Sequence, residues 1–310
     1  MGITFAILSA CTFAINNVVV KKGIMRDTHN DNGLFITVII NIILLGLLCF
    51  IVIGIRGWNF EFSWTAIFFF SLAGLCTTGI GRFTLFSSIS YIGPSKASAI
   101  RNSTPIFTTL FALIIIKENI AFLPGVGMVL LLGGIINEGI RISTSKTSKQ
   151  EHIPNSFTVH SKKHQYLGVG LALLSALTFG VGQGFRKQGL IETNDAFLGA
   201  WIGALASFIF LILYKTVRKE FTAAKLKKSF TTMNPFYLTA GVLTSLGPLF
   251  FFLAAQTMEV SYVSVIAATE PLITILISAA IFKGIESITI GTWLTIFIML
   301  FGTILIAINM

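Results

Sequence analysis

Two stretches of the chain, GITFAILSACTFAINNVVVKKGI at residues 2–24 and GVGLALLSALTFGVGQGFRKQGL at residues 168–190, determine its organisation. A shift of 166 residues aligns them without a gap, and nine of the aligned positions hold identical residues. The same shift aligns residues 95–117 with residues 261–283, where a proline in one segment meets a proline in the other. One register that recurs at separated places indicates an internal duplication.

The sequence is too apolar to cover itself with a charged surface. Of its 310 residues, 54% are hydrophobic and 11% are charged, whereas a soluble domain is about a quarter charged. Ten apolar runs are long enough for helices that cross about 30 Å of hydrocarbon, and they lack the alternation of barrel strands. We therefore predict an all-α integral membrane protein with ten transmembrane helices, near residues 3–20, 34–55, 65–88, 94–116, 122–140, 167–185, 196–214, 236–256, 260–282 and 288–309.

The longest polar stretch, residues 141–165, bisects the chain and has no apolar period. It is rich in Ser, Thr, Lys and His, a composition typical of a flexible linker. We therefore divide the chain into a first five-helix repeat at residues 1–140 and a second at residues 166–310. Because five is odd, the second repeat would enter the membrane inverted relative to the first, an architecture that recurs among transporters.

Short motifs recur in both halves. Each half opens with Leu-Ser-Ala-x-Thr-Phe and carries a Pro in its fourth helix, and a Glu after that helix precedes a Gly by sixteen residues. In this order and spacing the chain resembles the EamA-type transporters of the drug/metabolite transporter superfamily. The family's common Glu-Pro pair occurs at Glu270-Pro271, whereas the first half has Thr104 in place of the Glu. The resemblance implies ten helices in two repeats and movement of small metabolites, without naming a substrate. We interpret Glu118 and Glu286 as turn and capping residues.

The functional hypothesis is a secondary transporter, an exporter or exchanger of a small polar metabolite, that works by alternating access around a central site between the repeats. The alternatives are a membrane-embedded enzyme and a membrane scaffold without transport activity. The sequence contains no nucleotide-hydrolysis or nucleophile motif, so we expect a gradient or an exchange reaction to supply the energy.

Charge and ligand-type residues limit the partners. The net charge of +10 comes largely from Lys and Arg in the polar connections, which is a feature of membrane topology and not of nucleic-acid binding. The three cysteines lie in apolar runs and the four histidines in polar connections, so neither a disulfide framework nor a metal-ligand spacing is evident. We expect no cofactor and no metal, and we expect the lipid bilayer and a small-molecule substrate as partners.

Ionisable residues inside apolar spans are costly and mark candidate pathways. Arg82, Arg101, Glu270 and Arg186 are in this position. Arg101 corresponds in the repeat register to position 267, one helical turn from Glu270, so we expect Arg101 and Glu270 to meet where the repeats face each other. In the functional interpretation, Arg101 or Arg82 binds an anionic substrate group, and Glu270 binds an amine or a coupling proton. The alternative is a structural ion pair.

Two amides and three prolines complete the candidate set. Asn17 corresponds to Gln183 in the repeat register, and each is either a cavity-lining group or an interhelical hydrogen-bonding group. The hinge candidates Pro105, Pro248 and Pro271 fall inside predicted spans, where a proline removes a backbone donor and kinks the helix. The alternative to a hinge is a static kink.

Two arguments on membrane orientation disagree. Most Lys and Arg lie near residues 21–31, 141–165 and 215–233, which ten helices place on one side of the membrane. The positive-inside rule makes that side cytoplasmic and puts both termini outside, whereas the family resemblance implies cytoplasmic termini. We expect a multi-pass protein of the cytoplasmic membrane, and the sequence leaves its orientation and oligomeric state open.

Overall fold

The structure, a computed structural model, consists of helices and short connections. It describes residues 1–26, 33–58, 63–92, 97, 100–145, 162–217, 235–281 and 290–308. The first half contains α1 (Gly2–Arg26), α2 (Gly33–Ile55), α3 (Trp64–Gly74), π1 (Leu75–Gly81), α4 (Arg82–Ile92), α5 (Thr104–Phe111), π2 (Ala112–Ile116) and α6 (Phe122–Ser145), where π1 and π2 are π-helical. The second half contains α7 (Lys162–Glu192), α8 (Ala196–Val217), α9 (Pro235–Thr257), α10 (Val260–Ala267), α11 (Glu270–Ile281) and α12 (Ile290–Ile308). No strand occurs in these ranges, in agreement with the all-α prediction.

The helices have the length and composition of membrane spans. Six stretches are long and apolar enough to cross a bilayer, namely Gly2–Val20, Phe35–Ile55, Trp64–Ile89, His164–Glu192, Ala196–Val217 and Pro235–Thr257. Four further apolar stretches are shorter, namely Thr104–Ile116, Phe122–Gly134, Val260–Thr274 and Trp293–Ile306. Each of the ten coincides with one of the apolar runs of the sequence, and within the described ranges six of them reach the length of a full span.

The outer surface is apolar. Along α12, for example, Trp293, Phe297 and Phe301 are 58%, 69% and 50% exposed. In water such a continuous apolar face would drive aggregation, whereas hydrocarbon tails solvate it. The chain is therefore a multi-pass membrane protein.

Helices of one half pack mainly on helices of the other. The first helix of the first half, α1, lies against α9, α10 and α11 of the second half. The first helix of the second half, α7, lies against α3, π1, α4 and α5 of the first half. Under the 166-residue shift α1 corresponds to α7, and the partners of α1 correspond to the partners of α7. Among the other cross-half pairs, α2 with α8 and α6 with α12 correspond to themselves, and α2 with α9 corresponds to α8 with α3 and π1. The packing thus has the approximate two-fold character that a duplicated chain predicts.

Glycines set how closely the halves approach. An added Cβ at Gly74 of α3 would lie 2.0 Å from the carbonyl oxygen of Gly203 in α8. On α7, a Cβ at Gly182 would meet the Thr77 side chain at 2.6 Å, and one at Gly184 would meet the Phe111 ring at 2.1 Å. Backbone contacts at these distances are available only to small residues, as in other packed membrane helices.

The fourth and ninth predicted helices are broken, and at equivalent positions. The first break lies at residues 102–103, just before α5, and the second lies at residues 268–269, between α10 and α11. Pro105 and Pro271 are each the second residue of the helix that follows, where no intrahelical bond to the proline nitrogen is required. Their predicted placement inside continuous spans is therefore wrong. Pro248 does lie inside a helix, α9, as predicted.

Candidate functional site

Charged side chains meet at the two helix breaks. Glu270 is the first residue of α11, and its Oε1 accepts a hydrogen bond of 2.6 Å from Nδ2 of Asn17 on α1. The same oxygen lies 3.5 Å from Nη2 of Arg101, which precedes the other break. A carboxylate in the first turn of a helix is also favoured by the helix dipole. The structure thus brings together Asn17 and Arg101 from the first half and Glu270 from the second.

The Arg101–Glu270 contact is loose. Charge-assisted N–H···O⁻ bonds are typically about 2.7–2.9 Å, well below the 3.5 Å found here. The Arg101 side chain is 23% exposed, and its guanidinium carbon lies 5.5 Å from the centre of the Phe179 ring. Its Nε is buried and has no hydrogen-bond partner among the residues that the structure describes. Arg101 therefore retains donor capacity that Glu270 does not use.

An uncharged hydroxyl–amide cluster surrounds Gln183, the residue of the second half that corresponds to Asn17. Oε1 of Gln183 on α7 accepts hydrogen bonds from the hydroxyls of Thr108 (2.8 Å) and Ser264 (2.6 Å). The two hydroxyl oxygens are themselves 3.1 Å apart. Each of these two corresponding amides therefore hydrogen-bonds polar groups between the halves. The partner of Asn17 is the charged Glu270, and the partners of Gln183 are neutral hydroxyls. We did not predict Thr108 and Ser264, although both are hydroxyls in apolar spans.

Arg186 occupies a separate buried position on α7. It is 7% exposed, and its guanidinium carbon lies 5.2 Å from the Phe251 ring centre and 5.1 Å from the Phe252 ring centre. Its Nη2 donates a long hydrogen bond of 3.4 Å to the hydroxyl of Thr77 in π1. π-Helical segments inside transmembrane helices are frequent at functional sites, and Thr77 is a site residue that sequence reasoning missed.

Arg82 is a third basic side chain near Arg101 and Arg186. It is the first residue after π1 and is close enough to both Arg101 and Arg186 for their positive charges to repel one another. Among the described residues, the carboxylate that pairs with this group is that of Glu270. The three arginines outnumber their acidic partner, so the region between the halves carries an excess of positive charge.

Small polar cavity space lies next to Arg186. A cavity of about 30 Å³ is lined by residues of α2, α3, π1, α7, α8 and α9, with polar side chains from Asn41, Thr77, Thr78, Arg186, Ser207 and Thr244. Asn41 is 6% exposed, and its amide nitrogen is best oriented to donate to the hydroxyl of Ser245 at 2.8 Å. Within the described parts of the chain, no group of three His, Cys, Asp or Glu side chains is arranged to hold a metal ion.

Glu118 has a structural role, as predicted. Its Oε1 accepts from the backbone N–H of Val260 at 2.7 Å, and its Oε2 accepts from the hydroxyl of Ser261 at 2.6 Å. The carboxylate therefore caps the start of α10 in the opposite half, where unpaired N–H groups favour an anion. Glu286 lies outside the described residues.

The fold is that of a multi-pass membrane protein in which polar groups lie between two related helical bundles. The family model of the EamA-like transporter family matches residues 1–137 and 166–308, so the chain belongs to that family and is a membrane transporter of the drug/metabolite type. A comparison with curated proteins finds no match. Among solved structures 28 chains match, and one of them, described as "Crystal structure of protein", has a TM-score of 0.68 and 11% identity. The likeness covers 98% of this chain and 95% of that one, and at this identity it shows the fold alone.

Proposed function

We propose that the protein is a secondary transporter, an exporter or exchanger of a small polar metabolite, in the cytoplasmic membrane. In this proposal ten helices form two inverted five-helix repeats, and the substrate binds between them. The observation that carries the proposal is the contact of Asn17, Arg101 and Glu270 at the paired helix breaks. Broken helices with charged groups at the repeat interface are how many secondary transporters build their binding sites.

The loose ion pair favours a working site over a purely structural one. A buried charge pair that only stabilises packing needs close geometry to offset the loss of hydration of both groups. Arg101 and Glu270 are 3.5 Å apart, and the Nε of Arg101 donates to no group in the described part of the chain. Both observations suit side chains that release each other when they bind substrate. We assign an anionic substrate group to Arg101 or Arg82 and an amine or a coupling proton to Glu270.

Alternating access explains why the enclosed space is small. Pockets for metabolite-sized ligands are commonly about 300–1,000 Å³, whereas the cavity beside Arg186 measures about 30 Å³. Loading would therefore require the halves to separate on one side. The breaks at residues 102–103 and 268–269 interrupt helical hydrogen bonding where such a movement would be needed, and Pro248 supplies a third point in α9. Gln183, Thr108 and Ser264 would offer polar contacts on the opposite side of the same site.

Transport is tested by its effect on metabolite distribution. We expect deletion of the gene to raise the intracellular level of an exported metabolite, and overexpression to lower it and raise the extracellular level. Untargeted mass spectrometry of cells and medium measures both changes. The same metabolite should change in opposite directions in the two strains. Metabolite profiles that are unchanged in both strains under several growth conditions would contradict the proposal.

The ten-span arrangement makes a topological prediction. Because ten is even, both termini should lie on the same side of the membrane, whichever side that is. Fusions of each terminus to a reporter that is active on one side only, and to a second that is active on the other, measure this. Opposite locations for the two termini would exclude ten crossings and the inverted repeat with them.

A further inference from the structure

The cavity beside Arg186 has the charge of an anion site. Its volume of about 30 Å³ corresponds to about two water molecules. It is lined by helices of both halves, and the charged side chain among its lining residues is Arg186. A guanidinium remains protonated even in buried sites, so the cavity disfavours cations.

Arg186 has more donors than partners. A guanidinium offers five N–H groups, yet the hydrogen bond it makes within the described structure is the 3.4 Å contact with Thr77, and its Nε is buried without a partner. The rings of Phe251 and Phe252 contribute cation–π attraction but accept no conventional hydrogen bond. A cation that is 93% buried in the core of a membrane protein and lacks a carboxylate partner is costly unless another anion compensates it.

The hydroxyls around the cavity do not compensate for that charge. Thr77 donates to the Ala73 carbonyl at 2.8 Å, and Ser207 donates to the Gly203 carbonyl at 2.7 Å. The hydroxyl oxygens can accept hydrogen bonds from Arg186, but neutral oxygens balance only a small part of its full positive charge. Thr78 lines the same cavity, and its hydroxyl has no hydrogen-bond partner among the described residues, so it is available to donate to an anion.

We propose that this cavity is an anion subsite in which Arg186 binds one compact, monovalent anionic group, either a carboxylate or a halide. A carboxylate would match the planar guanidinium through two parallel hydrogen bonds. A dissolved halide would fit the same space as a single atom. Binding itself does not depend on transport. Only the assignment of the carboxylate to the transported molecule rests on the proposed function, in which Arg186 adds a second basic contact to the one at Arg101.

Anion-dependent thermal stability of the purified full-length protein in detergent tests the subsite. Sodium chloride and sodium acetate are titrated against a bulky sulfonate salt at constant ionic strength. A ligand at roughly ten times its dissociation constant should raise the Tm by about 3 °C. We expect this rise in the wild type and its loss in Arg186→Gln. Arg56→Gln is the matched control, because Arg56 pairs with Asp195 at 2.9 Å outside the cavity, and this variant should keep the rise.

A second pair of variants keeps the test decisive if Arg186→Gln does not fold. Ala204 of α8 lines the cavity, so Ala204→Asp supplies a carboxylate from within the chain. Ala204→Asn has the same shape without the charge. We expect the Asp variant to have the higher Tm of the two. Because either side chain fills a space of about two water molecules, neither variant should respond to added anion.

The outcomes separate the source of the anion from the existence of the site. A rise with chloride alone identifies a dissolved halide, and a rise with acetate as large or larger identifies a carboxylate. A wild type that responds to neither anion, or an Arg186→Gln variant that responds as the wild type does, would overturn the subsite. An equal Tm for Ala204→Asp and Ala204→Asn would also count against it. A wild-type protein that transports no metabolite but keeps its anion response would refute the proposed function and leave the subsite standing.

Discussion

Replacement of Glu270 by Gln is expected to abolish most substrate flux while the protein remains folded. The amide keeps the shape of the side chain and can still accept the hydrogen bond from Asn17, which is 2.6 Å long in the wild type. It cannot bind an amine electrostatically or carry a coupling proton. Hydrogen bonds to charged groups contribute about 1.5–3 kcal/mol, which corresponds to roughly a tenfold to hundredfold loss of flux. Counterflow of the identified metabolite in proteoliposomes measures the loss.

The alternative, a purely structural pair, predicts a different pattern. Removal of one partner would then leave Arg101 as an uncompensated buried cation, at a cost of about 3–5 kcal/mol. Membrane levels of Glu270→Gln would fall, and the double variant Arg101→Gln/Glu270→Gln would restore both protein level and flux. Glu192→Gln, which removes an exposed carboxylate at the end of α7, serves as the control and should behave as the wild type. A well-folded Glu270→Gln protein with normal flux and unchanged pH dependence would remove Glu270 from the working site.

Among Gly→Ala substitutions at the described glycines, Gly74→Ala is expected to cause the largest loss of stability. The new Cβ would lie 2.0 Å from the carbonyl oxygen and 2.6 Å from the Cα of Gly203, and neither backbone atom can rotate away. The α3–α8 contact would have to open, and this contact also borders the Arg186 cavity. Overpacking of this kind typically costs about 1–3 kcal/mol, and a clash with backbone belongs at the upper end.

Yield of monodisperse protein and Tm measure the effect of Gly74→Ala. The matched control is Gly133→Ala on α6, because nothing lies within 4 Å of a Cβ added there. That variant should be neutral or slightly stabilised by the higher helix propensity of Ala. Equal Tm values for the two variants would show that α3 and α8 do not approach each other as closely as described.

The long apolar runs and the repeat register were sufficient to predict where the helices lie, because hydrophobic length and duplication are properties of the sequence itself. The breaks at residues 102–103 and 268–269 were not predicted. Their backbone groups are accommodated by neighbouring helices, and hydropathy contains no information on those neighbours. The prolines were a partial signal, because each is the second residue of the helix that follows a break.

The contact between Arg101 and Glu270 followed from the repeat register, even though the argument assumed unbroken helices. The register succeeded because the duplication fixes which positions face each other across the two halves. The clusters at Gln183 and Arg186 depend on hydroxyls, among them Thr108, Ser264 and Thr77, that sit in spans rich in other hydroxyls. Sequence alone gives no means of choosing among them, since their roles come from packing between helices distant in the chain.

The most direct test of transport by a site between the halves is uptake by proteoliposomes that contain only this protein. Vesicles are incubated with an isotopically labelled metabolite extract, washed, and analysed by mass spectrometry beside vesicles without protein and vesicles with Glu270→Gln. We predict that one or a few polar metabolites bearing an anionic group accumulate in the wild-type vesicles alone. Identical metabolite contents in all three preparations, with correctly inserted protein in each, would contradict the account.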